Sequence, residues 1–253
     1  MIIIYRYSEK DSPGKEKMAT KLECFANFVR TLGADTTNKT ILVVDNAINA
    51  FALKDLKAIW EEQGADLHNL TIEKRDCSTA SMSQLATFDI ILSGLTNYRG
   101  YETVYILEDD YLHLEDATKF LNEGLSICDY VSLYDHPDKY EYPGPNPELV
   151  STRSGAAGEN TIVYLTPSSH WKLTNSTTMT FAAKLGTLRS DIMVMKKFCQ
   201  GEYPNDYEMF AELRKFGKTL TTAIPGRATH AEKRWLTPLV DWDTPKQTTK
   251  ELK

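Results

Sequence analysis

The chain has 253 residues, of which 42% are apolar and 25% charged, values that suit a globular protein and argue against disorder. Its 29 basic and 35 acidic residues give a net charge of −6, and a mildly acidic chain lacks the basic stripe that wraps nucleic acid. One local Arg or Lys, or a metal held by carboxylates, still suffices to bind phosphate. Cys24, Cys77, Cys128 and Cys199 stand far apart without CxxC spacing, which argues against a zinc knuckle or thioredoxin-type site and favours reduced thiols. No run approaches the ~20 apolar residues of a membrane span. The opening Met1–Tyr7 run has no basic stretch before it and no cleavage site after it, so it reads as a strand and a cytoplasmic location is expected. The sequons at Asn38, Asn69 and Asn175 read as chance matches.

The first half alternates strand and helix. Residues 2–7 form a strand. Met18, Leu22, Phe25, Val29 and Leu32 recur at helical spacing up to Gly33. A buried strand at 40–44 ends at Asp45-Asn46. A helix carrying Phe51, Leu53, Leu56, Ile59 and Trp60 closes at Gly64, and a strand follows at 70–74. A helix over about 83–97, capped by Ser81 or Ser83, leads to a strand at 103–107. Single helices between strands imply parallel pairing with right-handed crossovers, and ligands of such sheets sit at the carboxyl ends of the strands. Arg6, Asp45 and Glu108-Asp109-Asp110 all fall at such ends.

The second half changes character. A helix at 114–126 precedes a strand at 130–134. Residues 135–160, rich in Pro, Gly, Asp and Asn, read as a long loop. Strands are expected at 161–165, 177–182 and 220–224, helices at 187–198 and 206–216, and from Glu232 a polar tail that drapes over the surface or frays.

Three adjacent acids at the end of a buried strand repel one another unless a cation neutralises them. Oxygen ligands suit Mg²⁺ or Mn²⁺, which combine one or two carboxylates with substrate phosphates. The alternative is a solvated acidic turn that caps the next helix. His113 is a weaker candidate, as a ligand or as a partner of one.

The acidic triplet after the fourth strand of a Rossmann-like half resembles the DxD motif of GT-A glycosyltransferases. The runs Val104–His113, Tyr130–Tyr140 and Ser169–Ala182 are similar to a bacterial and large-virus group of these enzymes, and the resemblance extends from Tyr5 to about Trp242. It implies an α/β GT-A fold, a Rossmann-like mixed sheet with helices on both faces and a C-terminal acceptor-binding subdomain. Residues 1–253 would form one domain: a nucleotide-sugar-binding half (1–113), an acceptor-binding and catalytic half (114–231) and the polar tail (232–253). A viral chain would act in the host cytoplasm.

The resemblance further implies a metal-dependent transfer, with Mn²⁺ or Mg²⁺, from a nucleotide-sugar donor to a hydroxyl of a glycan acceptor. The donor would be a UDP-sugar, with a lean to UDP-xylose from the viral group. This chain departs from the strict motif in having Glu108 as its first acid, so which acid holds the metal stays open. Asp110 is implied as the direct ligand, with Asp109 as a further candidate and Glu108 facing ribose or water. His230, in the segment after the last strand, is implied as a third ligand, or is a surface histidine beside Glu232. Arg227 is placed for the diphosphate.

Arg6 and Tyr5 at the end of the first strand, and Asp45 and Asn46 at the end of the second, are candidates for base, ribose or phosphate contacts. Arg6 alternatively pairs with Glu9, and Asp45 caps a helix. Resemblance makes Asp206 the general base of an inverting reaction and Glu208 the runner-up, while plain helix capping is the competing role. Asp135, His136, Ser169, His170 and Trp171 are candidates for acceptor binding, Trp171 as a ring under a sugar or as core. A Ser169–His170–Asp135 triad lacks GxSxG context.

Two other classes compete. One is a nucleotidyltransferase or phosphohydrolase, disfavoured because the segment Ser8–Lys15 holds only Gly14. The other is a sugar-binding protein without turnover. Nothing in the sequence addresses oligomeric state.

Overall fold

The structure, a computed structural model, describes residues 1–10 and 14–247. Residues 11–13 of the Ser8–Lys15 segment and residues 248–253 of the expected tail lie outside the described residues. The first half follows the expected alternation: β1 (Ile2–Tyr7), α1 (Lys21–Phe28), β2 (Lys39–Asp45), α2 (Ala50–Glu62), β3 (Leu70–Arg75), α3 (Ala80–Asp89) and β4 (Thr103–Glu108). A reciprocal capping box opens α1: the Thr20 hydroxyl accepts from the Glu23 N–H, and Glu23 accepts from the Thr20 N–H. Asn49 caps α2, and Thr79 caps α3 in place of Ser81 or Ser83. Ser81 is instead buried, and the expected 83–97 helix ends as a π turn at Ile90–Gly94.

The second half contains β5 (Tyr111–His113), α4 (Ala117–Gly124), β6 (Tyr130–Ser132), β7 (Leu149–Ser151), β8 (Ala157–Glu159), β9 (Val163–Leu165), β10 (His170–Leu173), β11 (Phe181–Lys184), α5 (Leu185–Met195), α6 (Asp206–Lys215), β12 (Leu220–Ile224), β13 (Ala228–His230) and α7 (Asp243–Gln247). Nine strands form one sheet in the order β3-β2-β1-β4-β11-β6-β12-β10-β9. β1 to β4 are parallel; β11 runs antiparallel to both β4 and β6, and β12 is parallel to β6. The sheet is therefore mixed and continuous across both halves of the chain. Each face carries a core: Phe25, Phe28, Trp60, Phe120 and Trp171 on one side, Phe88, Phe181, Ile192 and Phe210 on the other. Coverage on both faces explains why β1 is apolar nearly throughout.

Several expected boundaries move, each for a local reason. The 114–126 helix shortens because Tyr111–His113 pairs with β13. Residues 177–180 are not strand; their hydroxyls bind side chains instead, Thr177 to Ser132 and Thr178 to Tyr111. The long loop holds the β7–β8 hairpin. β10 was not expected, because Lys172 interrupts its apolar character; the structure buries that lysine against Asp135 at 2.9 Å. The tail does not fray up to residue 247. Trp242 inserts beside Met18, Cys24 and Leu112, and its Nε1–H donates to the Thr237 carbonyl at 3.0 Å. All four cysteines are free thiols, and the three sequon asparagines are buried.

Gly124 ends α4 directly against the sheet. A Cβ there would lie 2.6 Å from the Val131 side chain and 2.9 Å from that of Trp171. Gly124→Ala is expected to lower unfolding stability by about 1–3 kcal/mol through overpacking. An unchanged midpoint in urea melts would contradict this packing.

Candidate functional site

The acids at the end of β4 diverge, and each meets a cation from a different part of the chain. β1 pairs with β4 so that Arg6 sits opposite Glu108. The buried Arg6 guanidinium lies 3.1 Å from Glu108 and donates to the Met179 carbonyl at 3.3 Å. Thr180 donates to the second Glu108 oxygen at 3.1 Å, so this carboxylate is held from two sides. Asp109 is buried, accepts the Ser8 N–H at 2.7 Å and pairs with Lys21 at 3.0 Å. Burial pushes its carboxyl up, while Lys21 opposes the shift. Lys21 also donates to the carbonyls of Ser8 and Lys10, which ties down the chain leaving β1.

Asp110 meets the last hairpin of the chain. The antiparallel β5–β13 pair sets His230 opposite Tyr111, and the Ala231 N–H donates to the Asp110 carbonyl. His230 Nε2 thereby lies 3.2 Å from Asp110 Oδ2, and the Tyr111 ring packs edge-on against the imidazole. Burial alone would raise the Asp110 carboxyl, but His230, with Lys21 and Lys17 beyond it, brings it down to about 2. Glu232 lies 3.9 Å from His230 Nδ1, a buried atom without a hydrogen-bond partner among the described residues.

One donor atom each from Asp110, His230 and Glu232 lie within 4.8 Å of one another. Two carboxylate oxygens and one imidazole suit Mn²⁺ or Mg²⁺ and leave further positions for substrate oxygens, so the donor set fits the expected cation. Glu232 was missed from sequence because it opens a segment that reads as a polar tail. Asp109 turns instead towards Lys21. His113, also considered as a ligand, is fully buried and bonds to the Tyr105 hydroxyl at 2.7 Å.

The remaining donor-side candidates have other commitments. Tyr5 is core; its ring packs on Phe25 and Phe28 beneath the acidic turn. Asp45 accepts from the N–H groups of Ala47 and Cys77, at 2.8 and 2.9 Å, and so shapes the turn after β2 on which Asn46 is exposed. Arg227 pairs with Asp116 and stacks over the Phe120 ring, which commits its guanidinium to the start of α4.

On the acceptor side, the capping role falls to Asn205, whose Oδ1 accepts the Glu208 N–H, and not to Asp206. Asp206 lines a depression of about 190 Å³ together with His136, Asp138, Lys139, Asn146, Ser176, Thr178 and Tyr207. Burial, reinforced by the negative charge of Glu108, pushes its carboxyl up to about 7. Glu208 is exposed and does not line this depression. His136 stacks between Tyr134 and Trp235 and contacts Asp138 at 2.8 Å.

Asp135 is locked between Lys172 and the Tyr140 hydroxyl. Ser169 Oγ donates to the carbonyls of His170 and Ile224, so Ser169, His170 and Asp135 do not form a triad. His170 is exposed on β10. Trp171 is fully buried with its N–H on Thr166, which makes it core and not a platform for a sugar. Lys139, Asp138 and Tyr207 were missed because they belong to a loop and a helix start whose packing no periodicity encodes.

No protein-family model and no curated protein matches the sequence. Solved structures do match. GalNAc-T7, crystallised with UDP, GalNAc and Mn²⁺, superposes with a TM-score of 0.60 at 9% identity, over 90% of this chain and 42% of that one. This chain thus spans less than half the length of that structure. A 4-diphosphocytidyl-2C-methyl-D-erythritol synthase gives 0.47 at 12% identity over 98% of both chains. The galactosyltransferase LgtC, with donor and acceptor sugar analogues, gives 0.43 at 12% identity over 86% of this chain and 71% of that one. At these identities the likeness is one of fold. The expected GT-A, Rossmann-like α/β class is the one the structure has. Among the described residues, no helix is long and apolar enough to cross a membrane.

Two predictions follow from this geometry. Asp110→Asn, His230→Ala and Glu232→Gln are each expected to weaken Mn²⁺ binding at least about tenfold in a calorimetric titration; equal affinity in all three variants would remove the proposed ligand set. The second concerns Asp206, whose folded value of about 7 lies above its unfolded value of ~3.9. The native state therefore holds the proton more tightly and loses stability as pH rises from about 4 through 7. In metal-free buffer, Asp206→Asn is expected to gain on the wild type between pH 5 and pH 8 in urea melts. A gap that stays constant or shrinks would contradict the raised value.

Proposed function

We propose that the chain is a metal-dependent glycosyltransferase that moves a sugar from a nucleotide-sugar donor, a UDP-sugar first among them, to a hydroxyl of a glycan acceptor with inversion. The observation that carries this reading is one pairing at the carboxyl edge of the sheet. Asp110, His230 and Glu232 form a cation-binding set, and Asp206, a carboxylate poised near neutrality, stands within electrostatic reach of Glu108 beside them. A divalent cation in that set supplies positive charge where a departing diphosphate accumulates negative charge.

The protein's own groups do the rest. Asp110, His230 and Glu232 would hold the cation. Glu108, fixed by Arg6 and Thr180, faces the donor, and the Asp45–Asn46 turn at the adjacent strand end offers contacts to base or ribose. Asp206 accepts the proton of the acceptor hydroxyl. The freed oxygen attacks the anomeric carbon as the bond to the diphosphate breaks, and attack from the opposite face inverts the centre. A carboxylate of pKa about 7 is well matched to that proton transfer at neutral pH. This separates the reading from a sugar-binding protein, which needs no base.

The test has two arms. In a thermal-shift screen of UDP-, GDP- and dTDP-sugars, including UDP-xylose, stabilisation is expected only when Mn²⁺ and the nucleotide are both present. Asp206→Asn should keep that shift while losing transfer by about 10²–10⁴-fold. Absence of any metal-dependent nucleotide shift, or of transfer by the wild type, would overturn the proposal.

A further inference from the structure

A second cleft lies along α6. Its volume is about 390 Å³, within the ~300–1,000 Å³ range of small-molecule sites. Phe210 and Leu213 of α6, with Leu173 of β10 and Leu220 of β12, supply an apolar floor; Asn160, Thr161 and Asn175 add polar groups. Its charged groups are already paired. Arg214 meets Glu148 at 2.5 Å, Lys218 meets Asp191 at 2.9 Å, and Glu159 lies between Lys139 and Lys172. The cleft therefore offers neither a free cation nor a free anion, and it suits a neutral ligand with both apolar and hydrogen-bonding surface.

This cleft shares a wall with the depression that holds Asp206. Asn175 lines the second cleft, and its amide donates to Asn146 of the first at 2.8 Å and to Glu148 at 3.2 Å. Tyr207, on the Asp206 side, feels the charges of Glu148 and Arg214 on the other. At the junction the Nδ2 of Asn146, a residue only 5% exposed, has no hydrogen-bond partner among the described residues. Along α6, Phe210 and Leu213 lie about 6 and 10 Å beyond Asp206 at ~1.5 Å per residue.

We propose that the second cleft is a subsite for the rest of the acceptor: a neutral oligosaccharide whose terminal sugar meets Asp206 and whose next units lie along α6. Asn146 bonds the linkage region, and the apolar floor takes a C–H face of the following ring. This rests on the glycosyltransferase reading. It adds that the acceptor is longer than one sugar and carries no charge in its second unit.

The test uses neutral p-nitrophenyl mono-, di- and trisaccharides of glucose, galactose, mannose and N-acetylglucosamine, with the UDP-sugar that stabilises the protein as donor. Two exposed positions are filled, Asn160→Trp and Ile162→Trp. The wild type is expected to show at least tenfold lower KM for di- or trisaccharides than for monosaccharides. Either variant should erase that advantage, with kcat and the monosaccharide KM unchanged. The UDP–Mn²⁺ thermal shift, measured on the same samples, certifies folding and donor binding independently.

An intact shift with a KM that does not depend on acceptor length, or with length dependence unaffected by both substitutions, overturns the subsite and leaves the donor reading standing. Loss of the shift in the wild type overturns both.

Discussion

Three carboxylates in succession at the end of one buried strand are the constraint around which the molecule is arranged. Left together they would repel at close range, and burial would force protons onto them. The fold assigns each its own cation: Arg6 from the neighbouring strand to Glu108, Lys21 from the first helix to Asp109, and His230 from the last hairpin to Asp110. Removing one partner from a pair this buried leaves an uncompensated charge, which is far more costly than the pair is stabilising. The acidic turn thus binds the start, the middle and the end of the chain to a single point.

The same arrangement sorts the acids by role. Asp109, tied to Lys21 and the Ser8 N–H, faces inward and anchors the chain leaving β1. Asp110 meets His230 because β5 pairs with β13, and that pairing also delivers, two residues on, Glu232. The candidate ligand set and the docking of the tail are consequently coupled. The segment that supplies two of the three candidate ligands is held down by Thr237, whose N–H donates to Thr229 of β13, and by Trp242, which packs beside Cys24 of the first helix and Leu112 of β5.

The second half of the chain obeys a different logic. Lys139, Asp135 and Glu159, from the 135–160 stretch whose composition reads as loop, are buried at their charged ends and pair with one another through Lys172 of β10. Their mutual neutralisation holds the loop in place and leaves Asp206 as the acid beside Lys139 whose burial is not offset by a direct ion pair. Such a carboxylate drifts towards neutrality in its pKa, which is what a proton acceptor at ordinary pH requires. The network reaches Asp206 through Lys139, which lines the same depression.

The sequence by itself determined the parallel half-sheet, the mixed α/β class and the position of the acids at a strand end. Those features depend on hydrophobic period and on local order along the chain, which are written one residue at a time. The resemblance to GT-A enzymes, and not position alone, made Asp110, His230 and Asp206 candidates. The tertiary structure alone decided which acid pairs with the lysine and which with the histidine, because Lys21 and His230 arrive from 88 residues before and 120 residues after. It moved Trp171, Tyr5 and Arg227 into packing, since burial of a ring or pairing of a guanidinium reflects neighbours distant in sequence. It brought in Glu232 and Lys139 for the same reason. A buried lysine and a polar tail look solvent-exposed until the groups that neutralise and cover them are folded into place.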